Sequence, residues 1–334
     1  MPLDNMKKVF SIDFQLFKVT GVEKVMLDVH RAIQNDYCAK IVGNIPFEKV
    51  HKSHCIKSDE YVKFNSLFMF YNSIVIVHER RLLILFWLLN HILFQKIKIV
   101  YVHHSLFYSH KRTTILPKTI VAIADKGIEN LTDYFGANIE NITKIHNCVV
   151  DNFKSPHPVI HRDRIRLLLP GRINSYKQQF EIVKQLKGKL DERILIQFAG
   201  DGDRLEELRE VCAGDSNFEV LGYRNDVLDI LKETDFLFLF STQEGLSITL
   251  IEATMVGMPI VCNNVGGNSE ICHHGRNGWV LNDWDDLVKV LNNLPNVTDE
   301  EYSRMCKNSR DIYLSNFTFE TFKENYLNLL SSLK

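Results

Sequence analysis

Residues 236–279 constrain this chain more than any other stretch. They open with Phe236-Leu237-Phe238-Leu239-Phe240, an apolar run of the length of a buried strand. Ser241-Thr242-Gln243-Glu244-Gly245-Leu246-Ser247 then predicts a turn, and residues 248–256 an amphipathic helix. Gly257 stops that helix and Pro259 keeps it from resuming. A second apolar strand, Ile260-Val261-Cys262, leads into Val265-Gly266-Gly267-Asn268-Ser269-Glu270.

Two carboxylates, Glu244 and Glu252, stand eight residues apart in this unit. Glu244 falls on the strand-to-helix turn. Glu252 lies inside the helix, which rises ~1.5 Å per residue. Both flank the helix N-terminus, where free N–H groups and the positive end of the macrodipole meet. In a parallel sheet that place is the ligand crevice. A sugar suits it, because its hydroxyls donate to carboxylates and accept from backbone N–H groups. Charged residues are mostly exposed, so either glutamate alone reads as a solvated side chain. Glu244-Gly245 directly after a buried strand reverses that reading.

Glu244-Gly245-Leu246-Ser247, Leu250-Ile251-Glu252-Ala253, Gly257-Met258-Pro259 and Gly266-Gly267 together resemble the signature of the family 4 retaining glycosyltransferases. Glu-x7-Glu alone is a weak signal; with the strand, the Gly-x-Pro and the Gly-Gly it is specific. The resemblance spans nearly the whole chain and is tightest over residues 167–280. It implies an α/β chain of GT-B fold, with two doubly wound Rossmann-like domains facing each other across a cleft. The implied divisions are an acceptor-binding domain at 1–157, a nucleotide-sugar-binding domain at 158–316, and a helix at 317–334 that crosses back to the first domain.

A length of 334 residues favours two domains. Apolar residues at 45% and charged residues at 24% are ordinary for a globular protein. The net charge of −1 hides an asymmetry: residues 1–157 hold 20 Lys and Arg against 14 Asp and Glu, net +6. A basic first half suits an anionic membrane surface or a phosphate-bearing acceptor. No basic stripe with interleaved aromatics appears, so nucleic acid is not expected as a partner. Seven cysteines without a CxxC read as reduced thiols, mostly buried. Lys7-Lys8 leads into a strand pattern rather than the apolar core of a signal peptide. The expected location is cytoplasmic, with peripheral contact on the cytoplasmic face of the membrane.

Strands are predicted over 9–14, 39–42, 73–77, 97–102, 119–124 and 142–146, with helices at 22–33 and 126–135 between them. Prolines and polar residues at 151–164 predict the interdomain linker. A second alternation follows, with strands at 165–169, 194–199, 218–221, 236–240 and 260–262 and helices from 287, 298 and 317. Such alternation implies parallel, doubly wound sheets. Residues 82–94 are apolar apart from Asn90 and His91, and shorter than the ~20 residues that span a bilayer. A buried connecting helix is the favoured reading, and the flanking Arg80-Arg81, Lys96 and Lys98 also permit an interfacial one.

Gly171, Arg172 and Lys177 share one strand-to-helix loop, where backbone N–H groups already favour anions. Two cations there can hold a diphosphate and offset its growing charge as a sugar leaves. The resemblance implies that role for Arg172 and Lys177, with Gln178 where a glycine often follows the lysine. Gly200-Asp201-Gly202-Asp203 lacks the third glycine of a dinucleotide fingerprint. Its Asp-x-Asp is expected to cap a helix beginning at Arg204 rather than to hold metal. The resemblance places Gly200 beside the nucleotide and makes Tyr223 and Arg224 neighbours of the base. It matches an active-site histidine to His103, with His104 as the alternative register, and a phosphate-facing loop to Thr20-Gly21-Val22-Glu23. In the run Asn147-Cys148-Val149-Val150-Asp151, Cys148 replaces the family's glycine. The implied roles of Glu252 and Glu244 are ribose binding and donor-sugar contact, with Gly245, Leu246 and Ser247 offering N–H groups.

The expected activity is retaining transfer of a sugar from a nucleotide-diphosphate sugar, UDP before GDP, to a saccharide or lipid-linked acceptor in cell-envelope polysaccharide synthesis. No metal and no cofactor are expected. Two alternatives stay open: another GT-B nucleotide-sugar enzyme such as an epimerase, and a non-catalytic nucleotide-binding subunit. The group expected to be transferred is a hexosyl or an N-acetylhexosaminyl residue.

Overall fold

The computed structural model describes residues 7–152, 160–161, 163–224 and 226–333. Residues 153–159 and 162 of the predicted linker lie outside the described residues. The chain divides into two compact units, Met1–Cys148 with Thr318–Lys334, and Val149–Phe317.

The first unit holds seven strands: β1 (Lys8–Ile12), β2 (Cys38–Gly43), β3 (Tyr61–Lys63), β4 (Ile74–Val77), β5 (Lys98–His103), β6 (Thr119–Ala122) and β7 (Ile142–Lys144). They pair in parallel in the order β3-β2-β1-β4-β5-β6-β7. Helices α1 (Gly21–Ile33), α2 (Leu83–Ile92) and α3 (Asp125–Glu129) connect them. A capping box closes the start of α1: Thr20 accepts from the Val22 N–H, and Glu23 accepts from the Thr20 N–H at 2.8 Å. After α3 the chain widens into a π turn over Asn130–Tyr134, so the single helix expected at 126–135 is two pieces.

The second unit repeats the plan with β8 (Ile165–Pro170), β9 (Ile194–Ala199), β10 (Phe218–Gly222), β11 (Phe236–Leu239), β12 (Ile260–Asn263) and β13 (Gly278–Leu281), ordered β10-β9-β8-β11-β12-β13. Its helices are α4 (Gln179–Leu186), α5 (Leu205–Cys212), α6 (Val227–Lys232), α7 (Ile248–Met255), α8 (Asn268–Ile271), α9 (Trp284–Asn293) and α10 (Asp299–Asn316). Leu167, Leu169, Ile196, Phe198, Phe236 and Phe238 form the buried centre of this unit. Strands buried on both faces read as continuous apolar runs, which is why β8, β9 and β11 were visible as sequence. The last helix, α11 (Phe319–Ser332), packs against α1 within the first unit.

Two strands escaped the sequence reading. β3 has three residues on a sheet edge. β13 opens with Gly278 at φ +152°, also on an edge. Edge strands are short and carry weak apolar patterning. The buried reading of residues 82–94 is corrected by half. α2 buries Leu83, Phe86 and Leu89, but Ile84, Leu88, Ile92, Leu93 and Phe94 are exposed.

Candidate functional site

In the second unit the strand order reverses between β8 and β11, which opens a crevice at their carboxyl ends. The loops leaving those two strands carry the predicted residues. After β8, Gly171 sits at φ +143°, a conformation that favours glycine. Arg172 is exposed. Its carbonyl accepts from Gln179 Nε2 at 3.1 Å, and the Asn174 side chain accepts from the Lys177 N–H at 2.9 Å. Gln178 takes φ +55°, the left-handed conformation a glycine would adopt freely, and its amide donates to the Phe240 carbonyl at 3.3 Å.

The turn after β11 docks on this loop. The Thr242 N–H donates to the Tyr176 carbonyl at 2.8 Å. Lys177 Nζ lies 2.8 Å from Glu244 Oε1, with the two side chains only 20% and 12% exposed. Ser241 Oγ donates to the same oxygen at 2.7 Å. Ser241 is held in turn by Asn263 at the end of β12, which accepts the Ser241 N–H at 3.1 Å and donates to its carbonyl at 2.7 Å. Neither Ser241 nor Asn263 was anticipated. The available signal was a polar residue directly following each apolar strand.

Gly266 and Gly267 pack under the same turn. Gly266 has φ +58°, and a Cβ there would overlap the Glu244 carbonyl. The Gly267 N–H donates to the Gly245 carbonyl at 2.7 Å. Leu246 and Ser247 are buried, Gly245 is half-buried, and Ser247 is the N-cap of α7. The Ser247 hydroxyl bonds Thr249 Oγ1 at 2.9 Å and makes no capping bond, so the start of α7 keeps backbone donors without a side-chain cap. Glu252 lies in α7 and is half-buried. The structure thus brings together Lys177, Glu244, Gly171, Gly245 and the start of α7.

The remaining predicted residues of this unit lie on neighbouring loops. Gly200 follows β9, and its N–H donates to the Gly222 carbonyl at 2.8 Å. A side chain at Gly200 would overlap the Gly171 carbonyl, so close packing of two loops explains this glycine. Asp201 caps no helix: its carboxylate accepts from the Gly202 N–H at 2.8 Å, and α5 begins at Leu205 without a side-chain cap. The Asp201 carboxylate is taken up by its own turn, three residues before the helix N-cap Arg204. Tyr223 is 73% exposed, and Arg224 is paired with Asp226 through Nε at 2.7 Å.

In the first unit Gly21 is the exposed first residue of α1. His103 ends β5 and is buried. Its Nδ1 meets the Tyr101 hydroxyl at 3.1 Å and its Nε2 meets Asn130 Oδ1 at 3.1 Å. Burial lowers its pKa to about 4, although the Asn130 bond opposes the shift. Contact with a substrate therefore requires His103 to give up one of these bonds. His104 Nε2 pairs with His78 Nδ1 at 2.9 Å, and burial lowers His104 to about 3. Asp13, after β1, is buried with Glu79 and Glu23 nearby. Burial first, then those like charges, pushes its carboxyl up to about 8.

Among the described residues, no group of three His, Cys, Asp or Glu is arranged to hold a metal ion. The seven cysteines are unpaired by disulfides; four are buried, and Cys55 is exposed.

Residues 150–311 match the family model described as glycosyl transferases group 1. The Escherichia coli UDP-Gal:alpha-D-GlcNAc-diphosphoundecaprenol alpha-1,3-galactosyltransferase is 29% identical over 140 residues, 39% of this chain and 36% of that enzyme's length. The 2-deoxystreptamine N-acetyl-D-glucosaminyltransferase of Niallia circulans is 26% identical over 254 residues, 70% of this chain and 64% of its own. Among solved structures, Anabaena HepE in complex with UDP superposes with a TM-score of 0.83 at 17% identity, covering 98% of this chain and 100% of HepE. With nearly all of its crevice-forming second unit matching the glycosyl transferases group 1 model, and with the architecture of HepE over 98% of its length, the chain is similar to that family and has the GT-B fold.

Proposed function

We propose that this chain transfers a sugar from a nucleotide-diphosphate sugar, UDP-linked by preference, to a saccharide or lipid-linked acceptor, with retention at the anomeric carbon. The observation that carries the reading is the meeting of Lys177 and Glu244 at 2.8 Å, on two loops that share the strand-order reversal. A cation for a diphosphate and an anion for sugar hydroxyls thus stand side by side. The UDP held by HepE and the lipid diphosphate in the name of the Escherichia coli relative support the donor and acceptor classes. The named relatives include both galactosyl and N-acetylglucosaminyl enzymes, so both kinds belong in a donor panel.

In this reading Arg172 and Lys177 hold the diphosphate as the bond from the anomeric carbon to its oxygen breaks. Glu252 takes the ribose hydroxyls. Glu244 and the backbone of Gly245, Leu246 and Ser247 take those of the sugar. Gly200, Tyr223 and Arg224 border the nucleotide; Gly21 is assigned to phosphate and His103, at the end of β5, to the acceptor. The acceptor hydroxyl attacks from the face the diphosphate leaves and passes its proton to the departing phosphate oxygen. A thermal-shift panel of UDP, GDP and ADP, followed by turnover of UDP-hexoses and UDP-N-acetylhexosamines, tests this. UDP is expected to raise the midpoint most, since a ligand that binds only the folded state stabilises it. No shift with any nucleotide would refute the reading.

A further inference from the structure

We propose that the outward face of α2, together with the adjoining turn at residues 67–71, is the surface on which this protein lies against an anionic membrane. The inference deepens the proposed function by naming where a lipid-linked acceptor would be met.

Among the described residues, 16 large apolar side chains are exposed, and eight of them fall within residues 67–94. α2 explains part of this concentration. Its inner face is satisfied by Leu83, Phe86 and Leu89, each under 3% exposed. Its outer face repeats the apolar pattern at helical spacing: Ile84 is 45% exposed, Leu88 37% and Ile92 63%. Of the exposed side chains of α2 only His91 is polar, and an apolar helix face that the core does not cover suits lipid. The turn before β4 adds Phe68 at 66% exposure and Tyr71 at 55%. The two segments lie side by side, because the Asn72 N–H donates to the Gln95 carbonyl at 2.8 Å.

The backbone supplies a separate observation. Phe94 is 76% exposed and sits at φ +49°, and Asn72 and Lys96 beside it are also left-handed at +51° and +56°. A bulky aromatic residue in that region is strained, and strain of this kind collects at functional positions. Here it presents a phenyl ring to the outside.

Charge selects the partner. Between residues 61 and 98 the sequence has one carboxylate, Glu79, against Lys63, Arg80, Arg81, Lys96 and Lys98. Glu79 is already bound to the Phe14 N–H at 2.6 Å. Lys63, Arg81 and Lys96 are exposed. A second copy of the chain would fit poorly, since a two-fold contact sets the same cations against themselves. Anionic lipid satisfies both the cations and the apolar stripe. With ten residues, α2 is too short to cross a bilayer of ~30 Å, so it would lie in the interface plane.

Flotation with vesicles of phosphatidylglycerol and phosphatidylcholine, at low and high salt, tests the proposal. The wild-type chain is expected to float with anionic vesicles at low salt, and less so with phosphatidylcholine alone or at high salt. A Phe68→Ser/Ile92→Gln/Phe94→Asn variant should lose at least tenfold in vesicle affinity. Asn tolerates the left-handed backbone at 94, so this variant should keep the fold. Arg81→Glu/Lys96→Glu should lose the preference for anionic lipid. Wild-type protein that stays soluble with anionic vesicles would overturn the proposal, as would a triple variant that floats like wild type. So would a wild-type dimer that the triple variant turns into a monomer, because the face would then be a self-interface. UDP thermal shift on the same samples should be unchanged by these variants, which separates failure of this face from failure of the donor reading.

Discussion

Glu244 does two jobs with one carboxylate. Its Oε1 takes both Lys177 Nζ at 2.8 Å and Ser241 Oγ at 2.7 Å, so it is the counter-ion of the cation proposed to hold phosphate. A diphosphate would share the three Lys177 donors with that partner. Glu244→Gln removes the competition, and calorimetry should find free UDP bound as tightly as by wild type or a few-fold tighter, while turnover of the UDP-sugar falls. Glu252→Gln should weaken UDP and UDP-sugar together, because its carboxylate is assigned to ribose through charge-assisted bonds. Equal losses of UDP affinity in the two variants would show the roles are not divided this way. Lys177→Ala should lower turnover by roughly 10²–10³, the scale of losing one preorganised charge stabiliser. Near-wild-type kinetics would remove Lys177 from the mechanism.

At the scale of elements, the ends of β1, β4 and β5 carry buried titratable groups whose pH effects oppose one another. Burial holds His103 at about 4 against an ordinary 6.5, so the unfolded chain takes up that proton first as pH falls. The stability carried by the neutral ring is intact above about pH 6.5 and is lost as pH falls through about 4. That is on the order of 3 kcal/mol if fully expressed. Asp13 has the reverse sign. Its folded value near 8 lies above the ordinary 3.8, so its contribution is present below about pH 3.8 and lost as pH rises through 8. Urea midpoints from pH 4 to 9 separate the two: His103→Asn should flatten the acid limb, and Asp13→Asn should gain most, relative to wild type, at pH 9. Unaltered pH profiles in both variants would mean that neither group is held as described. The glycine pair gives a second element-scale test. Gly266→Ala would force a side chain against the Glu244 carbonyl at φ +58°. A loss of 1–3 kcal/mol, typical of strain at a special backbone position, is expected in denaturant melts; a neutral result would mean that the turn can shift.

For the whole molecule, the two units repeat one plan, with strand order reversing at β1/β4 in one and β8/β11 in the other. The proposed donor residues, Gly21 apart, all sit in the second unit, so donor binding should stabilise that unit first. At a UDP concentration of about 100 Kd the linkage gives about 2.7 kcal/mol. Hydrogen exchange should show the new protection concentrated over residues 171–178 and 241–252. Protection confined to the first unit would place the nucleotide elsewhere.

The sequence by itself determined the parallel α/β class and picked out the loops that carry the candidate site. Strands buried on both faces leave unbroken apolar runs such as Leu167-Leu168-Leu169 and Phe236 through Phe240, and the turn residues that follow them stay legible. It also marked Lys177 and Glu244, 67 positions apart, as separate candidates. Only the tertiary structure joined them, because a contact between two loops is set by strand order and leaves no local pattern. The same holds for Ser241 and Asn263, whose mutual bonds cross from β11 to β12. It holds for His103, whose partner Asn130 comes from the π turn after α3. And it holds for α2: periodicity shows that a helix is apolar, but only packing decides which of its faces the core covers.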